Sequence, residues 1–205
     1  KQALIFGTSL SFFSVIALDY FANTISAALL LFTILFYVFI YTIWLKRKTP
    51  QNIVIGGAAG ALPPVIGWTI ATNSLSLEPI TFFLIIFFWT PSHFWALSLY
   101  KSDDYKKAKI PMLPLTNGIE STKINILVYS LLMLPMIILP YAIDFVGLVF
   151  LVPALMLTFY YNFLCFELYQ FKKNKFNPKK AKTIFGYSIL YLFLIFVIFL
   201  IDKIL

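Results

Sequence analysis

Two adjacent carboxylates, Asp103 and Asp104, stand in a short stretch with Lys101, Tyr105, Lys106, Lys107 and Lys109. Neighbouring carboxylates repel each other, and a cation held at the pair relieves the repulsion. Oxygen ligands suit Mg2+, which takes one or two carboxylates and completes its shell with phosphate oxygens and water. The lysines alongside match phosphate, not metal. A plainer reading of the same residues is a solvated charged loop that makes local ion pairs. What strengthens the metal reading is a second basic stretch, Lys46-Arg47-Lys48, followed closely by Gln51 and Asn52. Arg offers paired donors to phosphate oxygens, Lys a point charge, and the two amides neutral donors. The same three cations also serve as topology signals.

His93 is the only histidine of the chain. It lies in the run Trp89-Thr90-Pro91-Ser92-His93-Phe94-Trp95, near the end of an apolar stretch. An ionisable residue inside a membrane is costly and tends to face a cavity or a partner. Two readings stand: a hydrogen-bonded packing residue, or a group that orients or ligates a substrate. A helix continuing past Tyr100 puts Tyr100 and Asp104 on the face of His93. Trp89, Phe94 and Trp95 suit an interfacial belt as well as a pocket wall.

These residues are positioned by apolar stretches. The chain is 61% hydrophobic and 12% charged, with a mean hydropathy of +0.90. A soluble domain carries about 25% charged residues. The composition therefore points to a lipid-solvated, all-α polytopic bundle, in which helices pair every backbone polar group internally. Strict apolar/polar alternation is lacking, which argues against a barrel. Seven spans are predicted, at roughly 3–18, 25–44, 52–72, 79–100, 122–142, 146–169 and 183–202, each near the length a helix needs to cross a bilayer.

The cations fall in every second gap between spans, while the intervening gaps hold Asp19, Glu78 and Asp144. That alternation puts the loops at 45–51, 101–121 and 170–182 in the cytoplasm. Of 16 Lys and Arg residues only Lys203 falls on the other side. The formal charge of +8 is thus topological, and no nucleic-acid partner is expected. The lysine-rich loop 170–182 suits an anchor on anionic headgroups of the lipid bilayer. A lone cysteine, Cys165, allows neither a disulfide nor a cysteine metal site within one chain. No repeat or linker divides residues 1–205, which are taken as a single transmembrane domain.

The third span carries Gly56, Gly57, Gly60 and Ala61 ahead of Pro63-Pro64. Small residues one turn apart let helix backbones approach; the same glycines also make room for a flat or bulky ligand. The two prolines break or kink the helix. Together these features describe a metal–diphosphate mouth above an apolar bundle. A diphosphate with a long hydrocarbon tail fits it, and so does ionisation of an allylic diphosphate in a dry aromatic cavity.

Four stretches carry a resemblance: Tyr-Thr-x-x-Leu-Lys-Arg at 41–47, Asn-Ile-Val-Ile-Gly-Gly-x-x-Gly-Ala-x-Pro-Pro-x-Ile-Gly-Trp at 52–68, Trp-Thr-Pro-x-His-Phe-Trp-Ala-Leu at 89–97, and Asp-Asp-Tyr-x-x-Ala-x-Ile-Pro-Met-Leu-Pro at 103–114. In this order they resemble the haem o synthases, the protohaem IX farnesyltransferase branch of the UbiA superfamily of intramembrane prenyltransferases. They cover about a third of the chain. The resemblance implies nine transmembrane helices around a central cavity, in a bacterial inner membrane with the active-site loops cytoplasmic. It implies Mg2+-dependent transfer of farnesyl from farnesyl diphosphate to a vinyl group of haem b, giving haem o for haem a biosynthesis. Haem a synthase and the terminal oxidase assembly are the protein partners it suggests.

Carried over by motif, Asp103 and Asp104 match the second acidic motif, as the catalytic metal–diphosphate residues. Lys46 and Arg47 match the basic motif, and Lys107 joins them by proximity in sequence alone. His93, Trp89, Tyr41 and Asn52 are the expected acceptor or haem pocket. The family's first acidic motif, Asn-x-x-x-Asp-x-x-x-Asp, is not found in this sequence, nor are about two of the expected helices. On that ground the chain is expected to be part of a longer or split protein and inactive by itself. Rival readings are a UbiA-type enzyme with an aromatic or quinone-precursor acceptor, and a non-catalytic membrane protein.

Overall fold

A computed structural model describes residues 1–170 and 178–205. Seven helical spans are long and apolar enough to cross a membrane: Gln2–Phe21, Thr24–Leu45, Asn52–Thr72, Leu77–Tyr100, Gly118–Ala142, Leu148–Gln170 and Pro178–Ile204. They coincide with the predicted spans to within five residues at each end. The fold is an all-α membrane bundle, with no strand among the described residues. The predicted headgroup-anchoring loop at 170–182 lies largely outside the described residues.

The spans are α1 (Gln2–Phe21), α2 (Thr24–Leu35) running into a π-helix (Phe36–Leu45), α3 (Asn52–Ala61) and α4 (Pro63–Thr72), then α5 (Leu77–Tyr100), α8 (Gly118–Ala142), α9 (Leu148–Gln170) and α10 (Pro178–Ile204), with short helices α6 (Ser102–Lys107) and α7 (Leu113–Thr116) between α5 and α8. The third span divides where Pro63-Pro64 predicts. Pro63 lacks an N–H and fits the first turn of a helix, so α4 begins there while α3 stops at Ala61.

The core lies among α5, α8, α9 and α10, where Ile85, Trp95, Ile126, Met133, Phe150, Tyr161 and Ile195 are buried together. Apolar packing alone gives little directionality in lipid, and hydrogen bonds between helices supply it. Ser92 of α5 meets Tyr161 of α9 at 2.8 Å, and Thr158 of α9 meets Tyr191 of α10 at 2.9 Å. On the other flank, Asn23 caps α2 through the Ser26 amide and donates its own amide to the Thr69 carbonyl at 2.7 Å, tying α2 to α4.

The topologically discordant Lys203 has a structural reason. Its ammonium donates to the Phe145 carbonyl and sits 4.6 Å from the Phe145 ring centre. Asp202 beside it accepts the Gly147 and Phe150 amides at 2.9 and 3.0 Å, where four amides at a helix start lack partners. The pair fastens the end of α10 to the start of α9.

Candidate functional site

The π-helix delivers the basic stretch. It closes with the Lys46 amide bonded to the Tyr41 carbonyl at 2.8 Å, a spacing of five residues. π-Helical turns are rare and concentrate at functional sites. Tyr41 packs against Tyr37 with ring centres 5.1 Å apart, and Lys46 lies 5.8 Å from the Tyr41 ring centre. Across from them, Gly56 of α3 has no room for a side chain, since a Cβ there overlaps the Tyr41 ring. A Cβ on Gly57 falls 3.0 Å from Cγ2 of Thr90 on α5. Gly60 meets nothing within 4 Å. The glycines divide by position: Gly56 and Gly57 serve packing, and Gly60 borders open space.

That space belongs to a cavity of about 230 Å³ walled by Tyr37, Tyr41, Gly56, Gly60, Trp89 and Phe94, among others. Asn52 stands at the start of α3, 1% exposed; its amide donates to the Thr49 carbonyl at 2.6 Å while Oδ1 has no partner. A buried acceptor left unpaired costs free energy until a donor meets it.

Trp89 links the cavity to His93. The two rings stack at 4.2 Å and 19°, and Phe185 of α10 covers the other imidazole face at 4.6 Å and 26°. His93 is 7% exposed, and its Nδ1 lies 2.6 Å from Oγ of Ser188. The Trp89 indole N–H donates to the Ser188 carbonyl at 2.9 Å. Sequence reading finds His93 and Trp89 but misses Ser188 and Phe185, which are 95 and 92 positions further along. A serine inside an apolar span was the available signal, since a hydroxyl in lipid needs a partner.

The carboxylates sit differently from the expectation of one continuous helix. α5 ends at Tyr100, because Lys101 leaves helical geometry at φ −110° and ψ 25°. Ser102–Lys107 then forms its own helix, so Asp104 does not share the His93 face through helix continuity. Asp103 and Asp104 occupy the first turn of α6, where the helix dipole favours negative charge. Asp104 is 64% exposed and pairs with Lys101 at 3.4 Å. Lys107 is exposed in the last turn of α6, and Arg47 is exposed beyond the π-helix. No ion pair among the described residues joins Lys46, Arg47 or Lys107 to Asp103 or Asp104.

Tyr105, in the middle of α6, is half-buried. Burial, and after it the neighbouring Tyr100, push the Tyr105 phenol above its ordinary range. Lys123 is fully buried in the second turn of α8, 2.9 Å from Glu120.

No group of three or more His, Cys, Asp or Glu side chains able to hold a metal occurs among the described residues. Two carboxylates alone do not enclose an ion. They do fit Mg2+, which is commonly held by one or two carboxylates with substrate phosphates and water as the other ligands.

Residues 1–190 match the UbiA prenyltransferase family. All 205 residues are 97% identical to a curated protein of Pelagibacter ubique named protoheme IX farnesyltransferase, of which they cover 68%. Proteins of the same name are 49% identical over 205 residues in Parvibaculum lavamentivorans and 48% identical over 201 residues in Rhodopseudomonas palustris, each covered to 64% of its length. The chain thus spans about two thirds of the length of these relatives. No solved structure matches it. With a helical bundle, an acidic first turn and a basic stretch leading into a glycine-lined cavity, the chain belongs to the UbiA prenyltransferase family.

Proposed function

We propose that this chain, working as one transmembrane domain over residues 1–205, takes part in transferring the farnesyl group of farnesyl diphosphate to a vinyl group of haem b, giving haem o and diphosphate. The observation that carries the reading is the 97% identity along all 205 residues to a protein named for that reaction. The family assignment and the site chemistry agree with it.

Asp103 and Asp104 are the residues to hold Mg2+ against the diphosphate, with Lys46, Arg47 and Lys107 on its remaining oxygens. A bound Mg2+ supplies charge neutralisation for the departing diphosphate. The allylic C–O bond breaks and its electron pair leaves with diphosphate, as the cations offset the growing negative charge. The farnesyl cation forms against Tyr37, Tyr41, Trp89 and Phe94, whose faces attract positive charge. The apolar walls keep water away at that stage. The π pair of a haem b vinyl group makes the new carbon–carbon bond. Addition of water to the resulting cation, with release of a proton, completes the balance.

Asn52 and His93 belong to the acceptor side of this arrangement. The mouth faces the cytoplasm of a bacterial inner membrane in this proposal, which the alternation of the cations supports. Haem a synthase or terminal oxidase assembly is where the product would be passed on.

Turnover of farnesyl diphosphate and haem b in membranes with Mg2+ tests the reading. Asp104→Asn in the full-length protein is expected to cut haem o formation by about 100-fold or more, with insertion intact. Unchanged turnover removes the metal role. No haem o from the inserted wild-type protein overturns the reaction itself.

A further inference from the structure

His93 is held on three sides, and only one part of its ring remains for a ligand. Trp89 and Phe185 stack on its two faces. Chemistry at the ring is therefore confined to its edge, where Nδ1 and Nε2 lie. Nδ1 is taken by Oγ of Ser188 at 2.6 Å. A neutral imidazole carries one N–H and one lone pair, and the partner at one nitrogen decides which nitrogen has which.

The Ser188 hydroxyl has a single proton. It lies 2.7 Å from the Phe185 carbonyl, one turn earlier on α10, in the geometry of a donated bond. Serine commonly makes this back-bond to its own helix. With its proton so used, Oγ faces His93 as an acceptor, and Nδ1 must supply the hydrogen. Nε2 is then the lone-pair nitrogen, and it has no hydrogen-bond partner among the described residues. The Ser188 carbonyl holds the Trp89 indole N–H at 2.9 Å, so one residue of α10 fixes both members of the stacked pair on α5.

From this geometry we infer that Ser188 is a positioning residue: it locks His93 as the Nδ1–H tautomer and thereby presents the Nε2 lone pair to the iron of an iron-porphyrin acceptor. The iron clause rests on the haem b reading given above; the tautomer clause does not. A neutral imidazole nitrogen is a common ligand for iron, and a hydrogen bond at the opposite nitrogen raises its basicity and fixes its orientation.

The test reads 15N-histidine labels in the full-length protein in nanodiscs, where the pair of ring nitrogens that His93→Ala removes belongs to His93, the one histidine of these 205 residues. The expected result is protonated Nδ1 and unprotonated Nε2 in the wild-type protein. Ser188→Ala is expected to shift the proton towards Nε2, and Ser188→Thr to restore the wild-type pattern. An Nε2–H tautomer in the wild type, or no change in Ser188→Ala, overturns the lock.

In a second arm, ferric haem b is titrated and the Soret band followed. The wild-type protein is expected to shift the band and His93→Ala to abolish the shift. Ser188→Ala is expected to bind about tenfold more weakly, and Ser188→Thr near the wild-type level. Wild-type affinity in Ser188→Ala, or a retained Soret shift in His93→Ala, overturns the iron clause. No shift with the wild-type protein, alongside the expected nitrogen signals, overturns the haem acceptor and leaves the tautomer lock in place.

Discussion

Gly56 and Gly60 are one turn apart and identical in type, yet their surroundings assign them opposite work. A Cβ at Gly56 meets the Tyr41 ring, and one at Gly60 meets nothing within 4 Å. Gly56→Ala is therefore expected to push Tyr41 off α3 and to cost about 1–3 kcal/mol, as overpacking does. Thermal unfolding in detergent reads that loss. Gly60→Ala is expected to leave the melting temperature level or slightly raised, because alanine is the better helix former by about 1 kcal/mol. Its methyl instead enters the cavity of about 230 Å³, and weaker binding of the farnesyl substrate is the expected signature. Equal effects of the two substitutions on stability would remove the distinction. Sequence alone showed the glycines and offered both readings of them. It could not say which glycine had which use, because that depends on a tyrosine 15 positions away across a helix–helix contact.

At the scale of elements, the spans were legible and their internal register was not. Length, apolarity and charge placement fix where a helix crosses lipid. The register of Phe36–Leu45 leaves no such trace, since residues facing lipid and residues facing neighbours are equally apolar and no period marks the change to π-helix. The consequence is angular. Placing one alanine after Ile43, an exposed position, adds a residue that the segment has no bond to absorb and turns Lys46 and Arg47 by about 100° about the axis. The expected outcome is insertion at the wild-type level with farnesyl transfer lost; retained transfer would deny the π-helix its aiming role. The far end of the bundle offers a second test. Asp202 accepts amides of Gly147 and Phe150 at the start of α9. Asp202→Ala is expected to lower stability by about 1–2 kcal/mol, the usual scale for losing an N-terminal cap, and chemical denaturation in detergent measures it. In the sequence Lys203 gave only a charge on the wrong side. Its reason, and the partners of Asp202, lie in a turn more than 50 positions earlier, which no local pattern predicts.

For the whole molecule, the proposal depends on one shared end of the bundle. The basic stretch after the π-helix and the acidic turn of α6 are separated in sequence by the spans α3–α4 and α5, an even number of crossings. An even number returns the chain to the same face of the membrane, whichever face that is. No direct ion pair among the described residues joins the stretches, and the proposal sets a diphosphate between them. Single-cysteine labelling tests this arrangement with little background, because the one native thiol, Cys165, is buried. Arg47→Cys and Asp104→Cys are expected to react with a membrane-impermeant maleimide from the same side of sealed vesicles. Ser74→Cys, in the turn between α4 and α5, is expected to react only from the other. Farnesyl diphosphate with Mg2+ is further expected to slow labelling at both Arg47→Cys and Asp104→Cys and at neither side of the Ser74→Cys control. Labelling of Arg47→Cys and Asp104→Cys from opposite sides would separate the two halves of the mouth by the thickness of the bilayer, and no single diphosphate could touch both.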